Sequence, residues 1–215
     1  MKLGSKKLIT DRLILRKIVI EDAKEIYEGF VNQSEFLYYS NKQKRTLKEQ
    51  ENSLIGIEKK YESDDYFNWL ITLKDNGNII GSINANKYIE DSLIISYVID
   101  NRYTNNGYMK EALKIVLDYL IYEVQVKQVF CGCIVENIKS KKVMEKYMTY
   151  VTTLKNNVTL SDGLHDMHLY VIKKMDWEIH FYFKSFLLNP TTPNETNPNV
   201  SNKQAEVIIK ASKGW

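Results

Sequence analysis

The most regular pattern in the chain is a series of β-rich runs separated by turn residues. Residues 66–73 and 79–89 are rich in aromatic and β-branched side chains, and Asp75-Asn76-Gly77-Asn78 between them is typical of a hairpin turn. A third such run covers residues 93–99, and an earlier one, residues 8–19, alternates loosely between apolar and polar positions. The pattern predicts one N-terminal strand followed by an antiparallel meander of three strands.

The period changes after Gly107, where apolar residues begin to recur at helical spacing. They continue to Val124 across about four turns and predict a long helix with one buried face. Residues 129–135 form another β-rich run. Because crossover connections are almost always right-handed and join parallel strands, the order strand, loop, helix, strand predicts a parallel pair.

Shorter signals place three further helices. Glu21-Asp22 puts two acids in a first helical turn, where the helix dipole favours them. Thr46-Leu47-Lys48-Glu49 has the pattern of a capping box, and Asn137 is a suitable cap for a helix over residues 137–148. Residues 34–45, in contrast, show no clear period.

Two final β-rich runs, residues 149–154 and 167–172, predict a closing hairpin with a turn at Ser161-Asp162-Gly163. The chain is therefore predicted to be α/β (α+β), with a mixed central sheet of about seven strands and flanking helices. A single domain over residues 1–188 accounts for these elements. Residues 189–215 contain all three prolines among Asn, Thr and Ser and predict a flexible tail, because this composition buries little apolar surface.

Composition narrows the functional classes. With 30 Lys and Arg against 27 Asp and Glu, the formal charge is +3 and no basic run stands out, which argues against a nucleic-acid partner. No apolar stretch is long enough to span a membrane, so we expect a cytoplasmic protein with no membrane partner. The two cysteines, Cys131 and Cys133, and three distant histidines match no zinc pattern, and no metal is expected.

Residues 97–113 carry the clearest chemical prediction. An apolar strand runs into a short polar loop with one glycine, and an amphipathic helix begins at once. The first amides of a helix have no partner within it and lie at the positive end of its dipole. The sequence therefore predicts an anion site at this loop, with Lys110 adding positive charge.

Five motifs, in consistent order, resemble the GNAT superfamily of acetyl-CoA-dependent N-acetyltransferases, and within it the RimJ/RimL-like branch. The motifs are Thr10-Asp11-Arg12-Leu13-Ile14-Leu15-Arg16, Trp69-Leu70-Ile71 with Ile79-Ile80-Gly81-Ser82-Ile83, Asn106-Gly107-Tyr108-Met109-Lys110-Glu111-Ala112-Leu113, Asn137-Ile138-Lys139-Ser140, and Asp166-Met167-His168-Leu169-Tyr170. The resemblance implies a GNAT fold, whose parallel fourth and fifth strands splay apart beside the cofactor.

The resemblance also implies roles for particular residues. The donor, acetyl-CoA, acts as a cosubstrate, and its binding residues are expected to be Val98, Ile99, Thr104, Asn105, Asn106, Gly107, Tyr108, Met109, Lys110, Asn137 and Lys142. The amide of Val98 or Ile99 is expected to polarise the thioester carbonyl. Ser140 is the candidate donor to the leaving sulfur and Glu136 a candidate base. Trp69 and Asp166 are expected on the acceptor side, where Asp166 is a second candidate base.

Two departures from the family pattern bear on catalysis. Asn105 stands where the family has an earlier loop glycine, although asparagine tolerates left-handed backbone better than most residues. Met144 stands where many members carry a proton-donating tyrosine, and residues 147–149 lack the usual glycine and phenylalanine.

The sequence leaves two functions open. One is acetyl transfer to a primary amine, either a protein N-terminal amine or a small molecule, by direct attack in a ternary complex. The other is an acyl-CoA-binding protein with little or no activity, which the change at Met144 favours. With either function, the protein is expected to be a monomer or a homodimer.

Overall fold

The computed structural model describes residues 4–87 and 91–179. Within them a single mixed sheet has the strand order β1-β2-β3-β4-β5-β6-β8-β7. The strands are β1 (Leu8–Ile9), β2 (Leu13–Arg16), β3 (Phe67–Leu73), β4 (Ile79–Lys87), β5 (Ser92–Ile99), β6 (Gln128–Ile134), β7 (Thr149–Leu160) and β8 (Gly163–Lys173). The predicted fold class is confirmed, with eight strands in place of about seven.

The helices lie between these strands. They are α1 (Ala23–Glu28), α2 (Ser34–Ser40), α3 (Leu47–Lys60), α4 (Tyr108–Asp118) and α5 (Ile138–Met144). Helix α4 continues as a π-helical turn over Tyr119–Glu123, and 3-10 turns cover Ile20–Asp22 and Asn101–Tyr103.

The extra strand arises at the N-terminus, where one strand was predicted over residues 8–19. The chain reverses between β1 and β2, which pair antiparallel with Leu8 opposite Leu15. Thr10 closes this turn, because its Oγ1 accepts a hydrogen bond from the Leu13 amide at 2.9 Å. A loose alternation of apolar residues does not distinguish one strand from two that are joined by such a turn.

Other local predictions agree closely with the structure. The hairpin of β3 and β4 pairs Trp69 with Ile83, and the capping box of α3 is formed by Thr46 and Glu49. Asn137 caps α5, since its Oδ1 accepts from the Ser140 amide at 3.1 Å. Residues 34–45, which show no period, nevertheless contain α2, and α5 ends four residues before the predicted end at 148.

The sheet opens between β5 and β6. These strands are parallel as predicted, and their register runs from Ser92 opposite Gln128 only as far as Ile95 opposite Cys131. Strand β5 continues to pair with β4 up to Ile99, opposite Gly81. A Cβ at Gly81 would lie 2.3 Å from the Val98 carbonyl oxygen, so glycine permits this close approach. The end of β5 therefore follows β4 and leaves β6.

Both faces of the sheet are covered by apolar contacts. On one face α1 and α3 bury Ile26 and Leu54 against Leu70 of β3. On the other face Trp69 packs edge-on against Tyr119, with ring centroids 5.9 Å apart. Neighbouring residues of a strand point to opposite faces, which explains why Trp69 and Leu70 belong to different layers.

The chain divides into two units, residues 1–172 and residues 173–215. Only residues 173–179 of the second unit are described, so the predicted boundary at 188 and the predicted tail over 189–215 lie outside the described residues. None of the helices in the described ranges is long and apolar enough to cross a membrane.

Candidate functional site

The loop between β5 and α4 has the backbone that an anion site requires. Asn105 has φ 64° and Gly107 has φ 78°, so both residues adopt the left-handed conformation. Asparagine takes this conformation at lower cost than most residues, and the expectation for Asn105 is confirmed. The two left-handed residues turn the chain sharply before α4 begins at Tyr108.

The amides of this loop are available to a ligand. From Asn105 to Lys110, no backbone N–H donates to an acceptor among the described residues, and the first amide that does so is that of Glu111, to the Gly107 carbonyl at 3.1 Å. Six successive donors at the N-terminus of an 11-residue helix form a cradle for phosphate oxygens. Such a cradle is suited to a phosphate-containing ligand.

Side chains from the turn between β1 and β2 brace the loop. Arg12 forms an ion pair with Glu111 at 2.6 Å, and its Nη1 donates to the Asn106 carbonyl at 3.1 Å. Thr10 Oγ1 donates to Glu111 Oε1 at 2.6 Å. Burial raises the pKa of the Glu111 carboxyl, but the hydrogen bonds from Thr10 and Arg12 outweigh burial and the net pKa is lowered.

A buried carboxylate anchors the start of the loop. Asp100 has no exposed surface, and it accepts from Arg102 Nη2 at 2.6 Å and from Gln33 Nε2 at 3.0 Å. Desolvation raises the pKa of Asp100, but the hydrogen bonds of Arg102 and Gln33 lower it further, below its ordinary value. The carboxylate therefore remains charged and holds the loop to the segment that precedes α2.

A cleft of about 640 Å³ extends from this loop through the opening between β5 and β6. It is large enough for a cofactor arm together with a small acceptor. The structure brings together at this cleft the predicted catalytic residue Ser140 and five of the predicted cofactor residues, namely Val98, Ile99, Thr104, Met109 and Asn137. Ser96, although central in β5, is exposed because the sheet opens beside it.

A pair of hydroxyl groups lies on the α5 side of the cleft. The Tyr97 hydroxyl is 2.9 Å from Ser140 Oγ, and it donates to the Ser140 carbonyl oxygen at 3.1 Å. Burial raises the pKa of Tyr97 well above its ordinary value, so the phenol stays protonated at neutral pH. Met144 is fully buried in the core. The tyrosine hydroxyl beside Ser140 therefore comes from strand β5.

Both cysteines line the cleft as thiols. Burial raises the pKa of Cys131 to about 12 and that of Cys133 to about 11. Neither is a thiolate at neutral pH, so neither acts as a nucleophile there.

Nine predicted site residues are not among those that line this cleft. Five belong to the loop and helix start that contribute Thr104 and Met109 to it, namely Asn105, Asn106, Gly107, Tyr108 and Lys110, and four lie elsewhere. Glu136 lies beside Asn137, with its side chain 59% exposed and 3.6 Å from His165 Nδ1. Asp166 accepts from Lys155 at 2.6 Å, and Lys142 is exposed on α5. Trp69 has no exposed surface and donates from Nε1 to the Lys6 carbonyl at 2.7 Å. Its position in β3 directs it to the opposite face of the sheet.

Sequence reasoning missed two side chains of the cleft. The Tyr97 hydroxyl carries no sequence signal, because a tyrosine in the β-rich run over residues 93–99 is an ordinary strand residue. Glu35 is not predicted because residues 34–45 show no helical period. It is the acidic side chain among the described cleft residues. Its carboxylate pairs with Lys139 at 2.9 Å.

Comparison with known proteins identifies the family. A family model described as an acetyltransferase (GNAT) domain matches residues 12–147, more than half of the chain. The chain belongs to the GNAT family. Its domain, like that of its named relatives, is an acyltransferase domain, and the sequence-based recognition is confirmed.

Individual relatives extend the match. An uncharacterized N-acetyltransferase, YnaD of Bacillus subtilis, is 27% identical over 172 residues, which is 79% of this chain and 98% of the relative. A GNAT-family acetyltransferase structure from Bacillus anthracis superposes with a TM-score of 0.71 at 24% identity, over 79% of this chain and 99% of that one. RimL, a ribosomal L7/L12 α-N-protein acetyltransferase solved with coenzyme A, has a TM-score of 0.70 at 16% identity, over 80% and 99%.

Proposed function

We propose that this GNAT protein transfers an acetyl group from acetyl-CoA to a primary amine by direct attack in a ternary complex. The observation that carries the proposal is one cleft that is lined by Thr104 and Met109 of the amide-bearing loop and, further along, by Tyr97 and Ser140, whose hydroxyls are in contact. One end is suited to phosphate and the other to a leaving sulfur. Acetyl-CoA, when bound, supplies the thioester and the thiolate leaving group.

The cofactor residues divide by their chemistry. Amides from Asn105 to Lys110 bind the pyrophosphate oxygens, and the α4 dipole adds to their attraction. Val98 and Ile99 line the cleft where β5 leaves β6, so their main-chain groups are placed to bind the pantetheine arm and polarise the thioester carbonyl. Asn137 holds the N-terminus of α5 beside that arm.

Ser140 and Tyr97 serve the departing sulfur. In the transfer, a C–N bond forms, the C–S bond breaks, one proton leaves the amine and one proton reaches the sulfur. Ser140 Oγ donates its proton to the sulfur, Tyr97 replaces that proton through their 2.9 Å contact, and a proton from solvent returns Tyr97 to the neutral phenol. The protonated Tyr97 phenol thus serves as the proton donor, a role that Met144 cannot fill.

Three carboxylates are candidates for the proton of the amine. Glu35 lines the cleft and is 33% exposed, whereas Glu136 and Asp166 lie outside it, Glu136 beside Asn137 and Asp166 paired with Lys155. We assign the proton to Glu35, because a base must lie within hydrogen-bond reach of the proton that it removes.

A thiol-release assay tests the proposal. The chain is incubated with acetyl-CoA and a panel of amines and N-terminal peptides, and free coenzyme A is measured. Release above the amine-free rate supports the enzyme. Thermal stabilisation by coenzyme A without release from any amine supports instead the acyl-CoA-binding protein, which Met144 favours.

A further inference from the structure

The charged side chains of the cleft are unequally paired. Four of them line it in the described chain: Glu35, Lys42, Arg45 and Lys139. Glu35 and Lys139 form an ion pair at 2.9 Å. Within the described ranges, neither Lys42 nor Arg45 has a carboxylate in ion-pair contact. The cleft therefore presents two positive charges without counter-ions.

Arg45 is held in place by neutral groups. Its Nη1 donates to Gln50 Oε1 at 3.2 Å and to Ser53 Oγ at 3.4 Å, and its amide donates to Asn32 Oδ1 at 2.9 Å. Gln50 is only 2% exposed, so its position on α3 is fixed by packing. These partners orient the guanidinium without neutralising it, and its Nε and Nη2 donors meet no acceptor in the part of the chain that the structure describes. Such a fork suits an incoming carboxylate or phosphate.

Lys42 supplies the second charge. Its Nζ lies 5.6 Å from the centre of the Phe36 ring and donates to no oxygen among the described residues. Desolvation and the nearby charge of Arg45 lower its pKa. The two cations repel each other, so an anion bound between them is attracted by both and offsets their repulsion.

This pair lies on the side of the cleft away from the parallel opening. Gln50 and Ser53 belong to α3, whose Leu54 packs with Leu70 of β3, two strands from β5. The floor in between carries Asn68, Asn84 and Ser96, which lie opposite one another in register across β3, β4 and β5. A polar floor that leads from two cations to the opening suits a small, polar acceptor.

We propose that the acceptor amine carries an anionic group, a carboxylate or a phosphate, which Lys42 and Arg45 bind while the amine extends over the polar floor toward the opening between β5 and β6. This inference rests on the proposed acetyl transfer and specifies its substrate class. Lys42 and Arg45 repel polyamines and add no binding energy for neutral amines, so they select for an anionic acceptor.

Matched pairs of amines test the inference. We would compare γ-aminobutyrate with its amide, phosphoethanolamine with ethanolamine, and the C-terminally amidated dipeptides Ser-Glu and Ser-Gln. For at least one pair, kcat/KM should be at least about ten-fold higher for the anionic member, the factor that a charged hydrogen bond supplies. The pair that responds identifies carboxylate or phosphate as the preferred anion.

Variants that remove one positive charge show which residues cause the preference for anionic amines. Lys42→Gln and Arg45→Gln should each reduce the preference several-fold, through the KM for the anionic amine. Lys44→Gln is the matched control, because Lys44 is exposed like Lys42 but does not line the cleft, and it should keep the preference. Lys42 makes no side-chain hydrogen bond in the described chain, so its variant remains informative if Arg45→Gln folds poorly.

The outcomes separate this inference from the function on which it rests. Equal rates for both members of every pair, or a preference that survives both variants, overturn the inference and leave acetyl transfer intact. A raised KM for acetyl-CoA in the variants also overturns it, since the cations would then serve the nucleotide. If no amine releases coenzyme A, the proposed acetyl transfer is wrong, and amine binding then tests the inference. In that case the anionic member of a pair must raise the Tm of the native chain and of Lys44→Gln, but not the Tm of Lys42→Gln.

Discussion

The Tyr97 hydroxyl lies 2.9 Å from Ser140 Oγ, although the two residues are 43 positions apart. Tyr97 is on β5 and Ser140 is in the first turn of α5, so the crossover through α4 and β6 brings them together. Asn137 fixes the serine by accepting from its amide. The contact gives the proposed proton donor a buried hydroxyl from which its proton is replaced.

Removal of the tyrosine hydroxyl should slow the chemical step. Tyr97→Phe is expected to lower kcat by about ten-fold, and Ser140→Ala by about a hundred-fold, with little change in the KM for acetyl-CoA. Because the two groups act in series, the double variant should be no slower than Ser140→Ala. Tyr150→Phe on β7, where the hydroxyl contacts Thr153 instead, is the matched control. Independent, multiplicative effects of the two changes would contradict a relay.

The left-handed glycine of the loop should matter for coenzyme A binding. Gly107→Ala places a side chain at φ 78°, which costs about 1–2 kcal/mol, and the loop relaxes away from its amide cradle. Coenzyme A affinity by calorimetry should fall at least several-fold. Gly77→Ala introduces the same strain at φ 76° in the exposed hairpin turn, with no atom near its Cβ. An equal loss of affinity in both variants would exclude a specific role for the loop.

The pair of Arg12 and Glu111 should contribute to stability in a defined pH range. The pKa of Glu111 is lowered in the folded chain, so its contribution is present above the unfolded value of about 4.3 and is lost as pH falls through the folded value. Glu111→Gln should reduce the free energy of unfolding by about 1 kcal/mol at pH 7. The difference from the native chain should vanish in acid below both values.

Denaturant titrations at several pH values measure this difference. Glu123→Gln is the control, because Glu123 pairs with Lys6 at 2.5 Å but both side chains are about half exposed. Exposed pairs contribute little, so this variant should be close to the native chain. An equal or larger loss for Glu123→Gln would show that burial of the Glu111 carboxylate is irrelevant.

The cysteines should resist alkylation. Because burial raises the pKa values of Cys131 and Cys133 to about 12 and about 11, few thiolates exist at pH 8. Iodoacetamide should modify the native chain far more slowly than the chain in denaturant, as mass spectrometry would report. Cys133 lines the cleft, so acetyl-CoA should slow its modification further. Fast modification of both native thiols would contradict their burial.

The base is tested by two carboxamide variants. Glu35→Gln should lower kcat by about a hundred-fold, since the amine would lose its proton acceptor in the cleft. Glu136→Gln, which changes a carboxylate outside the cleft, should keep most of the activity. The reverse ranking would assign the proton to Glu136 and remove Glu35 from the mechanism.

Local patterns in the sequence determined most elements of this fold. The β3-β4 hairpin, the Thr46 capping box, the Asn137 cap and the left-handed Asn105 each depend on residues within a few positions of one another. The order of strand, loop and helix around Gly107 likewise predicts the amide cradle, because free amides are intrinsic to a helix N-terminus. Near-neighbour chemistry is readable from the chain alone.

The tertiary structure decided which side chains meet. Whether Trp69 enters the cleft or the core depends on the face of the sheet that β3 presents. The cleft residue Glu35 lies on α2, which has no apolar period and contacts the core through Phe36. The contact of Tyr97 with Ser140, and the presence of Lys42 and Arg45 in the same cleft, depend on distances between remote segments. Such distances are set by packing of the whole sheet, and no local pattern encodes them.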